Sequence, residues 1–204
     1  MVEINNLLVN IDGFIKGYKD IYVEKGSVLM ITGENGSGKT ILLNAICGLI
    51  DYKKGAIFLN KINTKNDIWK EFTACFLGKD FLIPYLTARE YFELCLLLAK
   101  KEVKNTKYID EYSKKLLFND LNKKIKNLSL GNQKKVGLIS TLITNPEIII
   151  WDEPFANLDE NTCVILNEII SKLSFSGKTI IYTNHHKELS FHNIEYNIDN
   201  EIID

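Results

Sequence analysis

Gly33-Glu34-Asn35-Gly36-Ser37-Gly38-Lys39-Thr40 fits the phosphate-loop pattern G-x-x-x-x-G-K-[ST], and both flanks supply the context the pattern requires. Before it, Ser27-Val28-Leu29-Met30-Ile31-Thr32 is an apolar, β-compatible run that reads as a buried strand. After it, Ile41 to Leu49 reads as a helix. Glycines in such a loop let the backbone wrap an anion, so that successive N–H groups and the helix N-terminus point at the β- and γ-phosphates of a nucleoside triphosphate. Lys39 adds a positive charge, and Thr40 offers a hydroxyl to a Mg²⁺ ion bridging those phosphates. A glycine-rich turn without a ligand is the plainer alternative, and the strand and helix on either side argue against it.

The second stretch that carries chemistry is Pro146-Glu147-Ile148-Ile149-Ile150-Trp151-Asp152-Glu153-Pro154. Three isoleucines and a tryptophan make a fully buried parallel strand, and two carboxylates follow at its end. Asp152 is placed to hold Mg²⁺, through water, as the acidic partner of a phosphate loop. Glu153 faces the same crevice and can polarise the water that attacks the γ-phosphate.

Composition bounds the function. At 204 residues with 46% hydrophobic content, the chain can bury a substantial core without requiring two domains. A net charge of −1 argues against a nucleic-acid surface as its main business. Cys47, Cys75, Cys95 and Cys163 form no C-x-x-C pair and no histidine lies at metal-ligand spacing, so four buried thiols in a reducing cytoplasm are expected. The N-terminus lacks a signal-peptide pattern and no run approaches a membrane span, so a membrane role would need another chain for the crossing.

In chain order, residues 2 to 32 look strand-rich, around Ile4 to Val9 and at Ile21 to Val23. Phe14 and Tyr18 are candidates to stack on a purine, or are ordinary strand aromatics. Gly55 to Asn60 and Phe72 to Leu77 read as further strands. From Pro84 the pattern turns helical: Thr87-Ala88-Arg89-Glu90 is a capping box, and Tyr91, Leu94, Cys95 and Leu98 recur at helical spacing. Asn105 to Phe118 carries a second helical pattern, and Lys123, Lys124 and Lys126 read as a solvated turn.

Between the two chemical stretches lies Leu128-Ser129-Leu130-Gly131-Asn132-Gln133-Lys134-Lys135. The order of phosphate loop, L-S-x-G segment, apolar strand with Asp-Glu-Pro, Leu158-Asp159, and a histidine after a strand resembles the ATP-binding cassette (ABC) ATPases over nearly the whole chain. The fold this implies is α/β: a P-loop NTPase core with a mostly parallel sheet, an N-terminal antiparallel β subdomain and an inserted helical subdomain at about residues 80 to 127. A single domain over residues 1 to 204 is expected.

The resemblance further implies that two such domains pair head to tail, as a homodimer or with a second cassette. ATP would lie between one phosphate loop and the partner's signature. There Ser129 and the amide of Gly131, at a helix N-terminus, can face the partner's γ-phosphate. Phe155-Ala156-Asn157-Leu158-Asp159 resembles the loop that crosses the dimer interface, and Asp159 is also a good N-cap for a helix from Glu160. After the strand reading Lys178 to Thr183, His185 takes the place of the family histidine that contacts the γ-phosphate, with His186 as the fallback.

One departure stands out. Gln133 is the sole glutamine, so the family's Mg²⁺-contacting glutamine after the Phe72–Leu77 strand is absent. Its slot falls on Lys79 or Asp80, of which Asp80 is the better metal neighbour. The implied protein is a cytoplasmic ATPase, peripheral at the inner face of the membrane, that uses ATP and Mg²⁺ to drive a separate integral-membrane permease.

The short chain and Leu86-Thr87-Ala88-Arg89-Glu90 look most like exporter ATPases. Among these, the haem-exporter ATPase of cytochrome c maturation is similar in length, and its Leu-Gly pair is matched by Leu77-Gly78. A non-transport ATPase, or a regulatory module that holds ATP without turnover, is the alternative.

Overall fold

The computed structural model describes residues 1–11, 13–101, 106–184 and 191–200. Two sheets organise it. The first is antiparallel, with β1 (Val2–Ile11) pairing β2 (Phe14–Tyr18) and β3 (Ile21–Val23) on one side and β5 (Tyr52–Leu59) on the other. β6 (Ile62–Asn63) extends that sheet beyond β5.

The second sheet is wholly parallel, in the order β10 (Ile194–Asn197), β4 (Val28–Thr32), β9 (Thr179–Thr183), β8 (Ile148–Trp151), β7 (Thr73–Phe76). Its central strands are apolar along their length because each feeds two cores. Val28 and Met30 of β4, Ile149 and Trp151 of β8, and Ile180 and Tyr182 of β9 face the core under the helices. Leu29, Ile31, Ile148, Ile150 and Ile181 face the core shared with the antiparallel sheet. A strand covered on both faces has no polar side to show, which explains Ile-Ile-Ile-Trp in sequence.

Helix α1 (Lys39–Ile46) follows β4, and its Leu42, Leu43, Ala45 and Ile46 fill the core beneath the antiparallel sheet. Helices α2 (Ala88–Leu98), α3 (Thr106–Lys115) and α4 (Leu130–Ile143) cover the other face, and α5 (Glu160–Phe175) follows β8. The capping box at α2 is present, with Thr87 Oγ1 accepting from the Glu90 N–H and the Glu90 carboxylate accepting from the Thr87 N–H.

The expected helical insertion at 80–127 accounts for α2 and α3. α4, which packs on both and on β7, joins them in one layer reaching Ile143. The lysine run is a turn as expected, with Lys123, Lys124 and Lys126 exposed and Ile125 buried between them.

Two expectations need correction. Tyr18 is buried, and its hydroxyl donates to the Gly38 carbonyl at 2.9 Å, so it braces the phosphate loop from below and is not available to a purine. All four cysteines are free, but only Cys47 and Cys163 are buried; Cys75 and Cys95 are half-buried because β7 is the sheet edge and Cys95 lies at the margin of the apolar face of α2. Among the described residues no helix is long and apolar enough to cross a membrane.

Candidate functional site

β4 ends on Thr32, and the chain then turns through Gly33 to Gly38 into α1. Gly33 has φ +149, and a Cβ there would lie 2.4 Å from Ile198 Cγ2 and 2.8 Å from Ser37 Oγ, so only glycine lets the loop close on itself. Gly38, at φ +102, is the N-cap of α1 and supplies no side-chain acceptor for the first-turn N–H groups. Those donors, with the positive end of the helix dipole behind them, suit an anion.

Lys39 is buried, and its Nζ donates to the carbonyls of Gly33 and Glu34, each at 2.8 Å. An ammonium carries three donors, so these two bonds pin it across the loop with one donor remaining for a phosphate oxygen.

The end of β8 meets this loop. Asp152 Oδ2 accepts from Thr40 Oγ1 at 2.9 Å, a contact between residues 112 apart in sequence. Asp152 Oδ1 accepts from Thr183 Oγ1 at 2.5 Å, and the same Thr183 oxygen accepts from the Glu153 N–H at 2.8 Å. Glu153 has φ +47, in the left-handed region that non-glycine residues rarely occupy.

A cleft of about 190 Å³ opens here, lined by Asn35, Gly36, Gly38, Lys39, Thr40, Ile41 and Glu153. The structure brings the phosphate loop, Asp152 and Glu153 together. The Thr40 hydroxyl and the Asp152 carboxylate are hard oxygen donors in direct contact, a donor set that fits Mg²⁺ sharing its remaining sites with phosphate and water. Among the described residues no three His, Cys, Asp or Glu side chains gather into a metal cluster.

The signature segment forms a second polar face. Ser129 caps α4, its Oγ accepting from the Asn132 N–H at 3.2 Å. Gly131 packs so closely on the loop after β8 that a Cβ would lie 2.6 Å from the Asn157 carbonyl oxygen. Asp159 caps α5 and takes two hydrogen bonds from Thr162, which hold its carboxyl down at about 2. Lys135 Nζ lies 3.5 Å from Asp159. Gln133, the sole glutamine, bonds the Leu128 and Ile125 carbonyls and so fixes the approach to α4.

Two expected residues stand apart. Phe14 is half-exposed at the start of β2 and Asp80 is exposed on the short 3₁₀ turn Lys79–Phe81; neither lines the cleft. His185 and His186 lie outside the described residues.

Sequence reasoning missed Thr183 and Lys134. Thr183 ends the strand beside β8, and in a parallel α/β sheet the carboxyl ends of the strands are where ligands sit, so its position was the available signal. Lys134 Nζ donates to the main-chain carbonyls of Asp152 at 3.2 Å and Glu153 at 2.9 Å, and nothing in the sequence marks that reach. The last elements were also unread: Asp199 accepts from the Glu34 N–H at 2.7 Å and Glu195 from Thr32 Oγ1 at 3.1 Å, tying the start of the loop to β10 and the turn after it.

The sequence profile of the family described as ABC transporter matches residues 19–156. "ABC transporter ATP-binding protein NatA" of Bacillus subtilis is 32% identical over 180 residues, covering 84% of this chain and 72% of NatA. "Ribose import ATP-binding protein RbsA" of Caldanaerobacter subterraneus is 34% identical over 180 residues, covering 81% of this chain; the chain spans only 36% of RbsA. Among solved structures, a dimeric form of MJ0796, a bacterial ABC transporter cassette, superposes with a TM-score of 0.86 at 26% identity, covering 97% of this chain and 95% of that one. A second MJ0796 structure, a dimeric post-hydrolysis state bound to ADP and Pi, superposes with a TM-score of 0.84 at 25% identity, over 97% and 94% of the two chains.

Proposed function

This chain belongs to the ABC transporter family, as an ATP-binding cassette of the ATPase class, and we propose that it energises a separate integral-membrane permease from the cytoplasmic face. The observation that carries the reading is the contact of Thr40 with Asp152, which joins the phosphate-loop helix to the acidic strand end in the cleft that Glu153 also lines.

The amides from Gly33 to Thr40 wrap the β- and γ-phosphates, and Lys39 adds its charge. Thr40 and Asp152 would hold Mg²⁺, with Asp80 as a further oxygen neighbour of that ion. The bound ion supplies charge neutralisation on the phosphate oxygens. Glu153 accepts a proton from the attacking water, and His185 orients that water against the γ-phosphate. Phe14, at an exposed hairpin, offers its ring to adenine.

Two cassettes close head to tail over ATP. Ser129 and Gly131 of one present a hydroxyl, an amide and a helix N-terminus to the γ-phosphate on the other, in the role an arginine plays elsewhere. Asp159, on the loop packed against Gly131, crosses between the two. Closing and reopening move the helical layer, and that motion drives the permease.

We assign the permease an exporting direction, supported by the segment Leu86 to Glu90 that opens α2; a haem exporter is the narrowest form of this reading. RbsA is by name an import protein, and the identity of the membrane partner tests the direction. The test is affinity purification of the chain from gently solubilised native membranes with mass spectrometry of its companions. A multi-span partner at near-equal stoichiometry is expected, and its identity fixes direction and cargo. A soluble complex without a membrane protein would refute the transport role.

A further inference from the structure

We propose that Lys134 is a positioning residue for Glu153, holding the backbone of the proposed base in place from the helix that carries the signature. The inference rests on the reading of Glu153 as the base. Glu153 sits at φ +47, a strained conformation for a non-glycine residue that persists only where its surroundings fix it. Its peptide groups are held from both sides. The N–H donates to Thr183 Oγ1 at 2.8 Å, and the carbonyl accepts from the Ala156 N–H at 3.1 Å within the turn and from Lys134 Nζ at 2.9 Å across from α4, with the Asp152 carbonyl at 3.2 Å from the same ammonium.

Lys134 is itself constrained. It is half-buried, its Nζ lies 5.4 Å from the centre of the buried Phe76 ring at the end of β7, and its stem belongs to α4, five residues beyond Ser129. Burial pushes the ammonium down from its usual range, and the Asp152 and Glu153 carboxylates oppose that. A lysine serving solubility would point its head to water. This one instead turns onto two successive carbonyls of the acidic loop, so any movement of the α4 N-terminus on dimer closure is passed to the Glu153 backbone within the same chain.

The experiment compares the full chain with Lys134→Met, which keeps the stem over Phe76 and removes the donors, and Lys134→Arg, which restores them, with Glu153→Gln as reference. Displacing a reacting group by about 1 Å costs up to ~100-fold in rate. Lys134→Met should therefore lower kcat by about 10- to 100-fold with KM and nucleotide affinity within about twofold of wild type, and Lys134→Arg should recover most of kcat.

Unchanged kcat in Lys134→Met, where Glu153→Gln has abolished turnover, would overturn this inference and leave the proposed function standing. So would a loss matched by equal loss of thermal midpoint and nucleotide affinity that arginine fails to rescue. Full turnover in Glu153→Gln would overturn both readings.

Discussion

Replacing Thr183 with valine tests the geometry of the acidic loop. Thr183 is fully buried, and its hydroxyl donates to Asp152 Oδ1 at 2.5 Å while accepting from the Glu153 N–H at 2.8 Å. Valine preserves shape and volume but removes both bonds, leaving a backbone donor without its partner and the carboxylate with one bond fewer. A neutral hydrogen bond contributes about 1 kcal/mol net and one to a charged group about 1.5–3 kcal/mol. Asp152 keeps its bond from Thr40, so the loss for Thr183→Val should be about 3 kcal/mol, a large fraction of the 5–15 kcal/mol available to a domain.

With a urea slope of about 3 kcal/mol per molar, the unfolding midpoint should fall by roughly 1 M. ATP turnover should fall about tenfold or more, because the Glu153 N–H loses its bond to Thr183. Thr183→Ser, which retains the hydroxyl, should recover turnover. Stability within about 0.5 kcal/mol of wild type, together with unaltered turnover, would refute the network.

Lys39→Ala should abolish ATP binding, whereas Ser129→Ala should leave binding by the monomer intact and block dimer closure, measured by nucleotide titration and sedimentation; equal loss of affinity in both would contradict a split site. Gly131→Ala sets a Cβ 2.6 Å from the Asn157 carbonyl oxygen, so the loop must shift at about 1–3 kcal/mol. The thermal midpoint should then drop by roughly 2–10 °C, and an unchanged midpoint would show that the loop yields freely. The Asp159 carboxyl is held down to about 2 by its Thr162 bonds, so its contribution to stability is complete above about pH 4 and is lost as pH falls toward 2. Asp159→Asn should flatten that part of the acid unfolding profile, and an identical acid slope would sink the assignment.

How far the sequence could be read depended on where each contact partner lay. The phosphate loop, β8 and the caps of α2, α4 and α5 are local: glycine spacing, an unbroken apolar run, and Thr, Ser or Asp just ahead of a helical pattern each carry their own cause. Tyr18 failed as a purine candidate because its environment is set by Gly38, twenty residues on. β10 went unread because Ile-Glu-Tyr-Asn is short and mixed, and it is a strand only by pairing with β4, more than 160 residues earlier in the chain. Lys134 was invisible for the same reason: a lysine one turn into a helix looks solvated until β8 is folded beneath it.

Glu153 is proposed as the base of an ATP-hydrolysing site built on the phosphate loop. The most direct measurement is steady-state phosphate release by the wild-type chain and by Glu153→Gln, each with ATP binding measured in parallel. The substitution should lower turnover by at least about 100-fold while ATP still binds, since it removes the proton acceptor and leaves the loop intact. Turnover within twofold of wild type would contradict it.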